Sequence, residues 1–211
     1  MDKLLDLQII QNYIEKPISR VHKFYLLGEI KSSSEYMQWF EIIRTASEHD
    51  VIMFHINSHG GDLFTAIQFM RVMSETKATI VASVEGACMS AATIIFLCAK
   101  HWEISKHSMF MFHNYSSGSF GKGGEMYDNI THERTWSQKL WKDIYTGFLT
   151  TDEINAILQN KDIWMSSEEV TKRLKQKTEI KETPVKSPTA PKKKATPKKT
   201  PARKKEGPGK R

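Results

Sequence analysis

The chain has 211 residues, of which 39% are hydrophobic and 26% are charged. This composition is typical of one globular domain and excludes a collagen-like, wholly disordered or disulfide-stapled protein. The formal net charge of +7 suggests a nucleic-acid binder, but residues 181–211 hold 12 Lys and Arg against 2 Asp and Glu. Residues 1–180 therefore carry a net charge of −3, and the basic character belongs to the C-terminal tail alone.

The tail, residues 181–211, contains six of the seven prolines, no aromatic residue and one large aliphatic residue, Val185. It cannot bury enough apolar surface to offset the entropy lost on ordering, so we predict a disordered basic tail after a single domain over residues 1–180. Its lysine- and proline-rich units resemble the tails of linker histones. Such a tail would bind nucleic acid without sequence preference, and a solubilising tail or flexible tether is an equal alternative.

No segment is long and apolar enough to suggest a membrane span. The longest apolar run, residues 91–99, has about half the length that a bilayer requires. The first 14 residues interrupt their apolar side chains with acidic ones and lack the cleavage site of a signal peptide. Cys88 and Cys98 lie in an apolar stretch, which favours buried thiols in a reducing compartment. The sequence thus predicts a soluble cytoplasmic protein.

Short apolar runs alternate with longer segments of helical spacing, which indicates an α/β fold with largely parallel strands. Strands are predicted over residues 23–27, 51–56, 79–84 and 108–113. Helical faces are predicted for Met37, Phe40, Ile43 and Ala46 after Ser34, and for Phe64, Ile67, Phe69, Met70 and Met73. A third helix, residues 89–99, is almost uniformly apolar and is predicted to be buried.

The second half of the chain is predicted to be mainly helical. Residues 116–124 are too rich in glycine for regular structure, and a long helix is predicted over residues 126–148. Thr151 or Asp152 should cap a shorter helix that ends at Asn160, and Ser166 or Ser167 should cap the last one.

A serine stands at the predicted junction between the third strand and its helix, in the motif Gly-x-x-x-Ser-Ala-Ala of residues 86–92. Ser90 at this position suits a nucleophile, although a helix cap or a small packing residue is the more common role for a serine in such a motif taken alone. Upstream, Gly60 and Gly61 follow a strand, where paired glycines can aim backbone N–H groups into a cleft or simply form a turn.

Two further residues could complete a catalytic set. His113 ends the fourth predicted strand just before the glycine-rich segment, so its ring could enter a cleft or remain a structural side chain. Asp162 lies between two predicted helices, where a carboxylate could orient a histidine ring, cap a helix or face solvent.

The order of Gly60-Gly61, Ser90, His113 and Asp162, at close to the same intervals, resembles that of the proteolytic subunit of the Clp protease. The resemblance begins at the segment FYLLGEI, residues 24–30, and ends at DIWMSSEEV, residues 162–170, so it covers about two-thirds of the chain. It implies a ClpP/crotonase-like spiral of repeated β-β-α units with a protruding handle helix.

The resemblance also implies roles for individual residues. Ser90 corresponds to the nucleophile, His113 to the general base and Asp162 to the residue that orients the base. The backbone N–H groups of Gly61 and Ala91 correspond to the oxyanion hole. Gly118, Ser119 and Gly121 correspond to the substrate-binding segment.

The sequence departs from the family at several of these points. His59 replaces the proline of Ser-Pro-Gly-Gly, Ala91 follows the nucleophile in place of methionine, and Asn114-Tyr115 replaces Gln-Pro after the histidine. Lys161 replaces the arginine before the orienting aspartate. Because that arginine helps contacts between rings in the family, ring stacking is affected more than the triad.

By resemblance, the chain is a serine endopeptidase subunit that hydrolyses unfolded polypeptides within a self-compartmentalising homo-oligomer of stacked heptameric rings. An AAA+ unfoldase of the Clp type would feed it, and ATP would belong to that partner, because residues 118–123 fail the Walker pattern. No metal site is expected, since His55 and His59 have no Cys/His cluster around them.

Three alternatives remain at this stage. A viral prohead maturation protease can share this fold and triad, with the basic tail tethering it to a scaffold or to DNA. A non-catalytic ring subunit, tethered to nucleic acid by its tail, would fit the departures from the family. A crotonase acting on acyl-thioesters shares the spiral units but needs no Ser-His-Asp set, and the ordered triad argues against it.

Overall fold

The computed structural model describes residues 18–182. Its elements in chain order are β1 (Val21–Ile30), α1 (Met37–Thr45), β2 (Val51–Gly61), α2 (Leu63–Glu75), β3 (Thr79–Met89), α3 (Ala91–Leu97), β4 (His101–Ile104), β5 (Met109–Phe112), α4 (Gly123–Tyr145), α5 (Thr151–Leu158), β6 (Ile163–Ser166) and α6 (Ser167–Glu182). A 3₁₀ turn at Ser33–Tyr36 precedes α1. The predicted disordered tail lies outside the described residues from residue 183 onward, and the proposed domain boundary at residue 180 stays a prediction.

The six strands form one sheet in the order β1-β2-β3-β5-β6, with β4 paired to β3. β3 changes its partner along its length, because residues 81–84 pair with β4 and residues 87–89 pair with β5. All pairs are parallel except that of β5 with β6. The predicted α/β fold with largely parallel strands is confirmed.

The core lies where α1 and α2 pack on the central strands. Phe69 of α2 is fully buried and meets the rings of Tyr36, Phe40 and Phe54 edge-on, at centroid distances of 4.8 to 5.9 Å. Alternate residues of β1, β2 and β3 are buried in the same core. This packing fixes β1, β2 and β3 relative to one another and so positions their carboxyl ends.

β2 and β3 continue beyond their predicted ends, to Gly61 and Met89, because they remain paired with their neighbours there. The predicted third helix accordingly begins at Ala91 and not at residue 89. α4 takes in Gly123 and Gly124, so the irregular segment is shorter than predicted. β4 and β6 were not predicted.

Two apolar side chains of the predicted helical faces are exposed. Met37 is 68% exposed and Phe64 is 69% exposed. Each lies in the first turn of its helix, where the helix end leaves the core. The predicted helices are both present, and the apolar face of each extends beyond its buried residues.

The caps of the last two helices differ slightly from the predictions. Thr150, and neither Thr151 nor Asp152, caps α5, since its hydroxyl accepts from the N–H of Glu153 at 3.2 Å. Glu153 returns the bond by accepting from the N–H of Thr150 at 2.8 Å. Ser166 accepts from the N–H of Glu169 at 3.3 Å at the start of α6, as predicted.

An ion pair joins α5 to α6. Both Nη atoms of Arg173 donate to the carboxylate of Glu153 at 2.7 Å, and Nη2 also donates to Glu169 at 2.6 Å. The hydrogen bonds from Arg173, together with those from Thr150, lower the pKa of Glu153 to about 2. The side chains of Arg173 and Glu153 are only 19% and 22% exposed.

We expect this pair to stabilise the fold in a pH-dependent manner. Because the folded state depresses the pKa of Glu153, its contribution is present above the ordinary pKa of a glutamate and is lost as the pH falls towards 2. The free energy of unfolding in urea should be lower in Glu153→Gln by about 1–2 kcal/mol at pH 7, and the difference should shrink at pH 3. Glu169→Gln, which removes the more exposed partner of Arg173, should change the free energy of unfolding at pH 7 by less than about 0.5 kcal/mol. An equal loss at both pH values would contradict the prediction.

Candidate active site

Ser90 links the end of β3 to the start of α3 in a strained conformation, with φ 54° and ψ −129°. Its N–H donates to the carbonyl of Met111 at 2.8 Å. Its carbonyl accepts from the N–H of Thr93 at 2.9 Å and from the hydroxyl of Thr93 at 2.6 Å. Ser90 occupies the N-cap position of α3, as one of the alternatives predicted, but its side chain makes no capping hydrogen bond. The backbone N–H and carbonyl of Ser90 are thus both fixed by hydrogen bonds, and its hydroxyl takes part in neither.

The hydroxyl of Ser90 is directed to His113. Its Oγ lies 2.6 Å from Nε2 of the half-buried His113 ring. The parallel pairing of β3 with β5, which ends at Met89 and Met111, brings the two residues to neighbouring strand ends. This contact is within the range in which a serine hydroxyl can donate its proton to a neutral imidazole.

Asp162 lies on the other side of the His113 ring. The antiparallel pairing of β5 with β6 ends at Phe112 and Ile163. His113 follows Phe112 and Asp162 precedes Ile163, so the two residues lie just beyond the last pair. Nδ1 of His113 lies 3.9 Å from Oδ1 of Asp162, and their side chains are 26% and 49% exposed. The separation is within ion-pair range but longer than a hydrogen bond.

A β-bulge in β2 brings a glycine against the serine. Gly28 and Glu29 of β1 pair with Ser58 and Gly60, so that His59 has no partner in the register. Gly60 has φ +96°, and a β-carbon there would lie 2.6 Å from Cβ of Ser90 and 3.0 Å from the backbone N of Ala91. Only a glycine allows this close approach.

The candidate oxyanion residues follow the same junctions. Gly61, with φ +146°, lies against the backbone of Ile30, and Ala91 begins α3. The N–H of the first residue of a helix has no partner within the helix. Gly61, Ser90, Ala91 and His113 all line one cavity, so the structure brings four of the predicted site residues together.

The sequence over residues 13–173 matches the model of the Clp protease family. The chain belongs to the Clp protease family. Members of this family are serine peptidases in general, which agrees with the placement of a serine hydroxyl against an imidazole. No curated protein matches the chain.

The cavity beside Ser90 in this Clp-family chain has a volume of about 610 Å³. Its lining comprises residues 61–64, 90–91, 113–117, 132–133, Trp136 and Trp141. Phe64 and Trp136 stack across it with ring centroids 5.7 Å apart. Neither was predicted to line the site, because helical spacing indicated only that Phe64 lies on a helix, and α4 carried no signal for which face it turns to the cavity.

The glycine-rich segment contributes to this Clp-family site only through its first part. Ser116 and Ser117 line the cavity, whereas Gly118, Ser119 and Gly121 do not. Residues 113–122 form neither strand nor helix. The substrate-binding role of those three residues therefore stays a prediction.

A carboxylate holds this segment on α4. Glu133 accepts from the hydroxyl of Ser117 at 2.8 Å. Burial, followed by the negative charge of Glu133, raises the pKa of Tyr115 above its ordinary value. Tyr115 therefore remains a neutral hydrogen-bonding residue in the cavity wall at neutral pH.

A buried hydroxyl pair supports the strained serine from below. The hydroxyl of Thr93 donates its one hydrogen to the carbonyl of Ser90. The hydroxyl of Tyr145, 2.9 Å away, must therefore be the donor in its bond with Oγ1 of Thr93. Tyr145 is fully buried, and burial raises its pKa. The C-terminal end of α4 is thereby connected to the backbone of the nucleophile candidate.

Within residues 18–182, no group of three or more His, Cys, Asp and Glu residues could hold a metal ion. His55 lies on β2, as predicted, and its Nδ1 lies 2.6 Å from Oε1 of Glu85. In the same described part of the chain, no helix combines the length and apolar character needed to cross a membrane.

Proposed function

We propose that this chain is a subunit of a Clp-type serine endopeptidase in which Ser90, His113 and Asp162 form the catalytic triad. The observation that carries the proposal is the 2.6 Å contact between Ser90 Oγ and His113 Nε2, made by a serine in a strained conformation at a strand-to-helix junction. Strain of this kind is concentrated at functional sites. The membership of the chain in the Clp protease family supports the same assignment.

In the proposed mechanism, Ser90 Oγ attacks the carbonyl carbon of the peptide bond while its proton passes to Nε2 of His113. The N–H groups of Gly61 and Ala91 stabilise the oxyanion of the tetrahedral intermediate. The C–N bond then breaks, and the proton on Nε2 passes to the leaving amine. Water next attacks the acyl carbon and gives a proton to Nε2 of His113. The bond between that carbon and Ser90 Oγ then breaks, the acid leaves, and Nε2 returns the proton to Oγ.

Asp162 has an orienting role in this scheme. When Nδ1 of His113 carries the proton and faces the carboxylate, Nε2 is left free to accept from Ser90. The gap of 3.9 Å has to close by about 1 Å for a hydrogen bond to form. The half-exposed position of Asp162 leaves room for that movement.

The finer features of the proposal come from the family resemblance. The substrates are unfolded polypeptides, with Gly118, Ser119 and Gly121 in the substrate-binding segment. The subunits form a homo-oligomer of stacked heptameric rings in the cytoplasm, and an AAA+ unfoldase consumes ATP, so this chain itself uses no cofactor. The exposed N-terminal half of α4 would act as the handle between rings.

Labelling with a fluorophosphonate probe tests the nucleophile. The purified full-length protein should be labelled at Ser90, as located by mass spectrometry of the digested protein. Ser90→Ala and His113→Ala should not be labelled, because one lacks the nucleophile and the other lacks its base. Ser34→Ala, which removes an exposed hydroxyl outside the cavity, should be labelled like the wild type.

Absence of labelling in a wild-type sample that is shown to be oligomeric would overturn the peptidase proposal. It would favour the non-catalytic ring subunit. Labelling at a different serine would contradict the assignment of Ser90 but retain a serine hydrolase.

A further inference from the structure

Asn114 directly follows His113, and its side-chain amide connects three parts of the chain. Its Nδ2 donates to Oδ1 of Asn160 at 2.9 Å. Its Oδ1 accepts from Nε1 of Trp141 at 2.7 Å and from the N–H of Tyr115 at 3.0 Å. Because Oδ1 accepts from two N–H groups, the orientation of the amide is determined and Nδ2 must face Asn160.

The bond to Asn160 lies where the sheet no longer holds the two strands. The pairing of β5 with β6 ends at Phe112 and Ile163, one residue short of His113 and Asp162. The bond between Asn114 and Asn160 is a link between the two segments beyond that point. This side-chain bond therefore joins the two segments beyond the last backbone pair of β5 and β6.

Both ends of this link are anchored. Asn160 has φ 61°, a left-handed conformation that asparagine tolerates, and its N–H donates to the carbonyl of Ile157 at 2.8 Å at the end of α5. Trp141 is only 3% exposed and stacks on Tyr145 with ring centroids 5.5 Å apart. The Asp162 loop is thus tied through Asn114 to the buried side of α4.

We propose that Asn114 is a positioning residue that, through Asn160, holds Asp162 within reach of His113. The inference rests on the proposed function, because it depends on the orienting role of Asp162. The carboxylate stands 3.9 Å from Nδ1 and needs only a small movement to form the hydrogen bond. Without the link, the loop would start from a wider range of positions, and a misplacement of about 1 Å can lower a rate by about 100-fold.

Two substitutions at Asn160 separate the link from the backbone conformation. Asn160→Gly removes the acceptor of the bond but still allows the left-handed backbone. It should lower the rate constant for fluorophosphonate labelling of Ser90 by about 10- to 100-fold. Asn160→Asp keeps an acceptor oxygen and tolerance of this conformation, and its rate constant should stay within about threefold of the wild type. Equal rate constants for Asn160→Gly and the wild type would overturn the inference.

A double-mutant cycle distinguishes positioning of Asp162 from a general structural role. If the link acts through Asp162, Asn160→Gly should lower the labelling rate constant by less than about twofold when Asp162→Ala is already present. A loss of the same size in both backgrounds would show that the link stabilises the fold in general, and the inference would be wrong.

Hydrogen–deuterium exchange tests the link without any need for a reactive serine. Asn114→Leu removes the amide but leaves the sequence of residues 158–164 unchanged, so their exchange can be compared directly with that of the wild type. Faster exchange of this segment in Asn114→Leu would support the link even if Ser90 were not labelled and the proposed function failed. Unchanged exchange would overturn it even if labelling of Ser90 had established the proposed function.

Discussion

Gly60→Ala is expected to abolish most of the reactivity of Ser90 and to destabilise the fold. The added β-carbon would lie 2.6 Å from Cβ of Ser90 and 2.9 Å from the carbonyl oxygen of Met89. Both neighbours belong to the strained junction, which the hydroxyl of Thr93 and the backbone of Met111 hold in place, so neither can shift freely. We expect the free energy of unfolding to fall by about 3 kcal/mol, because of the strain at a positive φ and the overpacking of the added carbon. Displacement of the Ser90 hydroxyl should lower the labelling rate constant by at least about 100-fold.

The matched control is Gly147→Ala. Gly147 also has a positive φ, +85°, but a β-carbon there would have no atom within 4 Å. It should lower the free energy of unfolding by about 1 kcal/mol and leave labelling unchanged, because it carries the conformational strain without the clash. Urea unfolding and labelling kinetics of both variants measure these effects. Wild-type labelling in Gly60→Ala would contradict the close packing of β2 against the Ser90 junction.

The sequence was sufficient to predict the parallel frame of the sheet, because the buried strands β1, β2 and β3 are apolar at alternate or successive positions. It failed for β4 and β6, which have four residues each. His101 and Glu103 alternate with half-buried residues in β4, and Trp164 is 54% exposed in β6. Two or three apolar residues within four positions are too short a pattern to distinguish a strand from a loop, and these strands form where β3 and β5 offer pairing edges.

Ser90 and His113 were candidates from the sequence because each lies at the end of a predicted strand. Asp162 lies between two predicted helices and became a candidate because the order of the three residues matches a known family. The structure adds residues whose roles depend on tertiary contacts. Gly60 was predicted as one of a pair without any means of telling that it, and not Gly61, packs against Ser90. Asn114 was recognised only as a departure from the family, since its partners Trp141 and Asn160 lie 27 and 46 residues away in the sequence.

The strained serine connects these observations physically. A φ of 54° is unfavourable for a residue with a side chain and persists only where the surroundings determine it. Here the hydroxyl of Thr93, itself bonded to the buried Tyr145, determines one side, and the carbonyl of Met111 on β5 determines the other. The strand that leads into His113 thus also holds Ser90, the residue that His113 is proposed to activate.

Removal of the Asp162 carboxylate, which we propose orients His113, should have the second large effect. Asp162→Ala should lower the labelling rate constant of Ser90 by about 10³- to 10⁴-fold, and His113→Ala by about 10⁵-fold or more. The order follows from the proposed roles, because His113 would accept the proton of Ser90 directly, across 2.6 Å, whereas Asp162 would act only through the ring. A time course of labelling, quenched at set intervals and analysed by mass spectrometry of the intact protein, gives both rate constants without knowledge of the natural substrate.

Asp162→Asn sharpens this test because it keeps the size of the side chain and removes its charge. Its amide can donate to Nδ1, which favours the tautomer with the proton on Nε2, and that tautomer cannot accept from Ser90. Asp162→Asn should therefore be as slow as Asp162→Ala or slower. Asp152→Asn, which removes an acidic residue from the exposed first turn of α5, should react within about twofold of the wild type. A loss of less than about tenfold in both Asp162 variants would mean that the 3.9 Å gap does not close during the reaction and that His113 is oriented by another group.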